Sequence, residues 1–126
     1  MTASPHALDL VKVAAIAADS KQGEDLVALD VSGPLPLTDV FLLVTGRNER
    51  NVLAIAAEIE DKLIEFGAKP LRREGRQEGR WVLLDFGDIV VHVQHAEERE
   101  FYRLERLWKD CPVIAFADTA GSVPRV

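Results

Sequence analysis

A β-hairpin signal in the second half of the chain constrains the fold more than any other feature. The apolar runs WVLLDF (residues 81–86) and IVVHVQ (residues 89–94) are separated only by Gly87-Asp88. Two residues of this type between apolar runs are typical of a tight turn between antiparallel strands. The sequence therefore predicts a sheet that contains at least these two paired strands.

A long amphipathic helix precedes the hairpin and follows a buried strand, which is predicted at residues 40–45 within VFLLVTG. Asn48 suits the N-cap of a helix that runs to Phe66, and Gly67 suits the position after its end. A strand–helix–strand crossover beside a hairpin predicts an α/β domain with one mixed sheet flanked by helices. The other predicted elements are a helix from Ser4-Pro5 to about residue 20, strands at residues 26–31 and near residues 69–73, and a last helix at residues 97–109.

The length of 126 residues suits one ordinary domain. We predict that this domain spans residues 1–112 and that residues 113–126 form a flexible C-terminal tail. No run approaches the roughly 18 apolar residues of a membrane-spanning helix, and MTASPHALDL lacks the features of a secretory signal. The lone cysteine, Cys111, fits a reducing compartment. The sequence therefore predicts a cytoplasmic protein without a membrane segment.

The formal net charge of −6 bears on the class of partner. Proteins that follow nucleic-acid phosphates usually present a basic face, so an acidic total disfavours that class. The one basic concentration, LRREGRQEGR (residues 71–80), is interrupted by Glu74 and Glu78. Direct RNA contact through this loop is a minor alternative, and an acidic chain is better suited to a basic protein partner.

No catalytic or metal-binding pattern stands out. His92 and His95, near Glu97 and Glu98, are three residues apart, so in a regular strand they face opposite sides. Zinc would need further ligands that the spacing does not supply. Asp85-Phe86-Gly87 matches the kinase magnesium motif only as a string, and no serine lies in a nucleophile elbow. We predict no catalytic residues, no metal and no cofactor.

The last predicted helix combines apolar and charged faces. Tyr102 lies at their boundary, flanked by Glu98 and Glu105. An aromatic residue beside charges is typical of a binding hot spot, and a tyrosine at the edge of the core is the alternative. The residues at core spacing, predicted to face inward, are Phe101, Leu104, Leu107 and Trp108.

Strand alternation places Trp81, Leu83 and Asp85 on one face of the first hairpin strand. An aspartate on the same face as a tryptophan indicates that this side is partly open, near a sheet edge or an interface. The alternative is that the last helix covers Trp81.

Taken in order, these segments closely resemble the Iojap family of ribosomal silencing factors over residues 8–110. The resemblance includes the residues before and after the buried strand, the glycine-containing loop, the hairpin and the last helix. The matching residues are Leu37-Thr38-Asp39, Thr45-Gly46, Glu74-Gly75, Trp81-Val82-Leu83-Leu84-Asp85, Gly87-Asp88, Val91-His92-Val93 and the block REFYRLERLW at 99–108.

The resemblance implies a translation regulator rather than an enzyme. Such factors bind the fourteenth protein of the large ribosomal subunit, block subunit joining and lower translation when nutrients are scarce. The family fold is similar to that of nucleotidyltransferases, and members often form homodimers. The catalytic Gly-Ser and paired acids of those enzymes are not evident, because Thr45-Gly46-Arg47-Asn48 stands where such a loop would be.

We hypothesise that seven residues form the partner-binding site. The residues that would contact the ribosomal protein are Trp81, Leu83, Tyr102 and Glu105. The carboxylates that would pair with its basic residues are Asp39, Asp85 and Glu98. The competing hypothesis is a residual metal-dependent nucleotidyltransferase that uses Asp39, Asp85 or His92.

Overall fold

The computed structural model describes residues 2–115 as one α/β domain. Its helices and strands follow the predicted order, with two additions near the C-terminal end. The elements are α1 (Pro5–Ser20), β1 (Glu24–Asp30), β2 (Val40–Gly46), α2 (Glu49–Phe66), β3 (Arg72–Glu74), β4 (Trp81–Asp85), β5 (Ile89–His95), α3 (Ala96–Tyr102), α4 (Leu104–Leu107) and β6 (Val113–Ile114).

The six strands form a single mixed sheet in the order β3-β4-β5-β2-β1-β6. β2 and β5 are parallel, with Val40 opposite Ile89 and Gly46 opposite His95. The other neighbouring strands are antiparallel. Because α2 lies between two strands of the same sheet, it forms the predicted crossover. The predicted α/β class with a mixed sheet and flanking helices is confirmed.

Local signals account for both ends of α2 and for the hairpin. The Asn48 side chain accepts a hydrogen bond from the Asn51 N–H at 2.8 Å, and Gly67 closes the helix with φ +107°. Gly87 turns the hairpin with φ +83°, and its N–H donates to the Asp85 side chain at 2.8 Å. These positive φ values favour glycine, so the predicted turn and helix end are confirmed.

Helices α1 and α2 cover one face of the sheet, here called the helix face. Their apolar stripes bury Leu10, Ile55 and Leu63 against strand residues such as Leu42 and Val91. The continuous burial of this layer explains why the central strands β2 and β5 are apolar throughout.

The opposite face, here called the second face, is covered only in part. Leu104 is buried there with Leu29 and Leu43, and the Trp108 ring packs edge-on against Phe41 with centroids 5.3 Å apart. These contacts cover β1 and β2. β3 and β4 lie at the opposite edge of the same sheet. The β4 side chains on the second face are therefore only half-buried.

The last helix is not continuous, which corrects the prediction of one helix at residues 97–109. Arg103 has φ +47°, a left-handed conformation that ends α3 before α4 begins. The break changes which side chains face inward: Leu104 is 9% exposed, whereas Phe101 is 78% and Leu107 is 73% exposed. The core assignment of Phe101 and Leu107 was therefore wrong, because it assumed an unbroken helical period.

The domain boundary predicted at residue 112 stays a prediction, although the two residues after it belong to the sheet. Val113 and Ile114 form β6 and pair with Leu29 and Ala28 of β1. The Asp30 N–H also donates to the Pro112 carbonyl at 2.8 Å. These bonds satisfy backbone groups along β1 that would otherwise be an open sheet edge. The rest of the predicted tail, from residue 116 to residue 126, lies outside the described residues.

Between residues 2 and 115, none of the helices combines the length and the apolar character needed to cross a bilayer.

Candidate partner-binding surface

An aromatic cluster lies where β4 begins and α3 ends. The Trp81 and Tyr102 rings are tilted against each other with centroids 4.8 Å apart, and Phe101 meets Tyr102 edge-on at 5.0 Å. Tyr102 is 50% exposed. Leu83 follows on the same face of β4 and is half-buried. Leu83 and the three rings are called the aromatic patch, and its exposed apolar area is typical of an interaction surface.

The buried His92 fixes the orientation of the Trp81 indole through a hydrogen bond. The Trp81 Nε1–H donates to His92 Nδ1 at 3.1 Å. Burial lowers the pKa of His92 to about 4, and its side chain also meets Phe41 edge-on at 5.0 Å. His92 is therefore a neutral imidazole that carries its proton on Nε2, since Nδ1 accepts the indole hydrogen bond.

Arg80, the residue before Trp81, binds three carboxylates from two helices. Its guanidinium donates to Glu98 at 3.0 Å, to Glu97 at 2.6 Å and to Glu49 at 2.9 Å. Glu49 begins α2, whereas Glu97 and Glu98 lie in the first turn of α3. Arg80 thereby lowers the pKa of Glu97. The Arg80 cluster (Arg80, Glu49, Glu97 and Glu98) fixes the start of α3 one helical turn before Tyr102.

His92 and His95 do not form a ligand pair, and their separation agrees with the three-residue spacing in β5. His92 faces Trp81 on the second face, whereas His95 ends β5 and its Nδ1 accepts the Glu97 N–H at 3.0 Å. Ligand atoms of His95, Glu97 and Glu98 do lie within 4.8 Å of one another. Both glutamates are bound to Arg80, so the groups that could face a metal cation already face a guanidinium.

Of the seven predicted site residues, the structure brings four together. Trp81, Leu83 and Tyr102 belong to the aromatic patch, and Glu98 is tied to it through Arg80. Asp85 shares the second face of β4 but lies at the far end of the strand, where Arg72 Nη2 is 3.6 Å from its Oδ2.

The other two predicted residues lie elsewhere. Glu105 accepts from the buried Arg99 at 3.0 Å, and Arg99 also reaches the Thr45 hydroxyl of β2 at 2.8 Å. Asp39 precedes β2 at its opposite end, where it accepts the Ser4 N–H at 2.9 Å. Asp39 is thus separated from the aromatic patch by about the length of a strand, roughly 20 Å.

Phe101 and Arg80 are the residues that the sequence-based hypothesis missed. Phe101 was assigned to the core because the break at Arg103 has no mark in the sequence. Arg80 was counted with the basic loop. The acidic residues in the first turn of α3 are a usable signal, because helix N-termini favour acids, but this signal does not identify their arginine partner.

Each arginine of the basic loop is bound to a carboxylate. Arg72 lies near Glu74 and Asp85, whereas Arg73 and Arg76 both reach Glu60 of α2. Glu60 is 8% exposed, so its contacts fix the loop to the helix face. Because Arg80 is also paired, the charges that suggested RNA contact are neutralised within the chain, and this weakens that alternative for the loop.

Comparison with known proteins gives a consistent picture. The family described as ribosomal silencing factor during starvation matches residues 4–125. A ribosomal silencing factor from Bacillus subtilis is 47% identical over 104 residues, which cover 82% of this chain and 88% of the relative.

Two solved structures have the same fold. A crystal structure of a protein from Chromobacterium violaceum superposes with a TM-score of 0.79 at 36% identity, covering 81% of this chain and 85% of that one. A second, from Bacillus halodurans, gives a TM-score of 0.76 at 42% identity, covering 86% of this chain and 98% of that one.

Proposed function

This chain belongs to the ribosomal silencing factor family, and from that premise we propose that it represses translation by occupying the large ribosomal subunit. The proposed contact is the fourteenth protein of that subunit, on the face that meets the small subunit. The family description, which includes starvation, supports repression under nutrient limitation.

The observation that carries the proposal is the aromatic patch on the half-covered second face. Tyr102 and Phe101 are 50% and 78% exposed, and Trp81 beside them is fixed by its hydrogen bond to His92. Rigid aromatic side chains that are partly exposed to solvent often contribute most of the binding free energy at protein interfaces. The patch therefore supports docking of a partner at β4 and α3.

Charge supports a basic partner. This support comes from the net charge of −6 of the whole chain, because the exposed carboxylates beside the aromatic patch, Glu97 and Glu100, are paired with Arg80 and Arg103. Complementary fields raise the association rate and exclude partners of like charge. The predicted contributions of Asp39, Asp85 and Glu105 stay predictions, with Asp39 the most distant from the patch.

A silencing factor of this kind needs occupancy rather than chemistry. An interface of standard size, which buries about 800 Å² on each partner, is enough to prevent the small subunit from binding the same surface of the large subunit. Self-association as a homodimer and location in the cytoplasm also stay predictions from the resemblance.

The nucleotidyltransferase alternative gains little from the geometry. Asp39 is bound to the start of α1, Asp85 is bound to the hairpin turn and His92 is bound to Trp81. These three side chains do not converge on one point, whereas two-metal sites require ligands that hold ions about 4 Å apart.

Co-sedimentation tests the docking proposal. The native chain should pellet with purified large subunits and should bind the isolated fourteenth protein. The Trp81→Ala variant should lose most of both interactions while its circular dichroism stays native. A folded Trp81→Ala chain that binds as well as the native one would remove the aromatic patch from the site.

A further inference from the structure

A polar cleft lies next to the Arg80 cluster, away from the aromatic patch. The end of α1 and the start of α2 border this cleft of about 380 Å³. Lys21, Arg47 and Arg50 line it, together with the neutral side chains of Gln22, Asn48 and Asn51. Among the described residues, no carboxylate lines this cleft, although the chain as a whole is acidic.

The three cations of the cleft differ from those of the basic loop. Within residues 2–115, none of them forms an ion pair, whereas all four arginines of the loop do. Arg47 donates to the neutral Gln22 amide at 2.8 Å. Glu49 lies between Asn48 and Arg50 in sequence, but Arg80 binds its carboxylate.

Arg50 is also placed where helix stability does not favour a cation. It lies in the first turn of α2, whose N-terminal end carries the positive end of the helix dipole. A cation there is mildly unfavourable for α2, so helix stability does not explain Arg50, whereas Lys21 at the C-cap of α1 lies where the dipole favours a cation.

The lining indicates the class of ligand. Polar amides and cations surround the cleft. Within the described part of the chain, Ala54 is its one apolar side chain and no aromatic ring lines it to stack on a base. Contacts of this type bind phosphate groups and carry no base recognition. We propose that Lys21, Arg47 and Arg50 contact the phosphodiester backbone of ribosomal RNA when the aromatic patch is docked on the large subunit.

This inference rests on the proposed docking, and the geometry connects the two surfaces. Arg80 binds Glu49 at the edge of the cleft and Glu98 beside the aromatic patch. In the proposed complex the cleft therefore lies next to the docked subunit, whose RNA is the component that carries phosphates. The net negative charge of the chain repels RNA at long range. In physiological salt this repulsion is screened beyond about 8 Å, so the attraction between phosphates and the cations of the cleft acts at contact distance.

The test uses the full chain and the double variant Lys21→Gln/Arg50→Gln. The matched control is Lys12→Gln/Lys69→Gln. It removes two exposed cations that form no ion pair with residues 2–115 and that do not line the cleft. Affinity for whole large subunits is measured at low and at moderate salt, and affinity for the isolated fourteenth protein is measured in parallel.

We expect the native chain and the control to lose roughly ten-fold more affinity for whole subunits than the cleft variant when salt rises four-fold, as the loss of about two phosphate contacts requires. Binding to the isolated protein should be equal for all three chains. The charge-preserving variant Lys21→Arg/Arg50→Lys should behave as the native chain does, which separates charge from local structure.

Equal salt dependence in the cleft variant and the native chain would overturn the RNA contact while leaving the docking proposal intact. A native chain that binds neither whole subunits nor the isolated protein would overturn both proposals. Tight binding of a free nucleoside triphosphate, lost in the cleft variant alone, would assign the cleft to a small ligand and overturn the RNA contact.

Discussion

The Trp81 indole donates its single N–H to Nδ1 of His92 over 3.1 Å, so a buried histidine orients an aromatic ring at the surface. His92 is 7% exposed and lies opposite Leu83 of β4 and Leu43 of β2 in the sheet register. The sheet interior and the aromatic patch are therefore linked by one hydrogen bond that requires an unprotonated Nδ1.

The first prediction follows from the pKa of His92, which burial lowers from an ordinary 6.5 to about 4. Between these pH values the unfolded chain binds a proton at His92 that the folded chain does not. The free energy of unfolding therefore has its full value above about pH 6.5 and falls as the pH is lowered toward 4. The loss from this group should be about 2 kcal/mol between about pH 7.5 and about pH 5.

Urea unfolding at the two pH values checks this dependence. His92→Gln can still accept the indole hydrogen bond but does not titrate, so its stability should change less over the same interval. The same pH dependence in both chains would show that His92 is not the responsible group.

A second prediction concerns Tyr102, whose ring packs on Trp81 while half of its surface is exposed. Tyr102→Ala should weaken binding to large subunits by about 1–3 kcal/mol, as expected for a hot spot, with little effect on folding. Ile64→Ala is the control, because Ile64 is 47% exposed on α2 across the sheet. An equal effect of the two substitutions on binding would argue against a site at Tyr102.

The break at Arg103 gives a third prediction, a contrast between two leucines of α4. Leu104 is 9% exposed and Leu107 is 73% exposed. Leu104→Ala should lower the free energy of unfolding by about 2–4 kcal/mol, and Leu107→Ala by less than about 0.5 kcal/mol. Chemical denaturation measures both. Comparable losses would instead support the continuous helix that the sequence suggested.

These leucines also show what the sequence could predict. Features with local signals were correctly predicted, including the Asn48 cap, the Gly67 helix end and the Gly87 turn. The break at Arg103 was missed because a left-handed residue is usually glycine or asparagine, and arginine gives no such indication. The break accompanies the packing of Leu104 and Trp108 on the sheet, which is a contact between distant segments.

The candidate site was predicted in part for the same reason. The face shared by Trp81 and Leu83 follows from strand alternation, and their proximity to Tyr102 was inferred through the resemblance. The Arg80 cluster joins residues 17 to 31 positions apart, and β6 pairs with a strand more than 80 positions earlier. Such pairings depend on the assembled sheet, so no periodicity within either segment could show them.

A fourth prediction concerns Arg80, which holds the start of α3 through Glu97 and Glu98. Arg80→Gln should speed amide hydrogen exchange in α3 and weaken binding to large subunits, while exchange in α1 stays native. Arg76→Gln is the control, since it removes a loop arginine whose partner Glu60 keeps Arg73. Unchanged exchange in α3 with Arg80→Gln would show that the ionic cluster does not position the aromatic patch.

The most direct test of the central claim is a subunit-joining measurement. Purified large subunits are incubated with the native chain, small subunits are added, and joined ribosomes are separated by sedimentation. The native chain should reduce the joined fraction in proportion to its occupancy of large subunits, and folded Tyr102→Ala should do so only at higher concentration. An undiminished joined fraction at saturating native chain would contradict the proposal that this protein silences ribosomes by occupying the joining face.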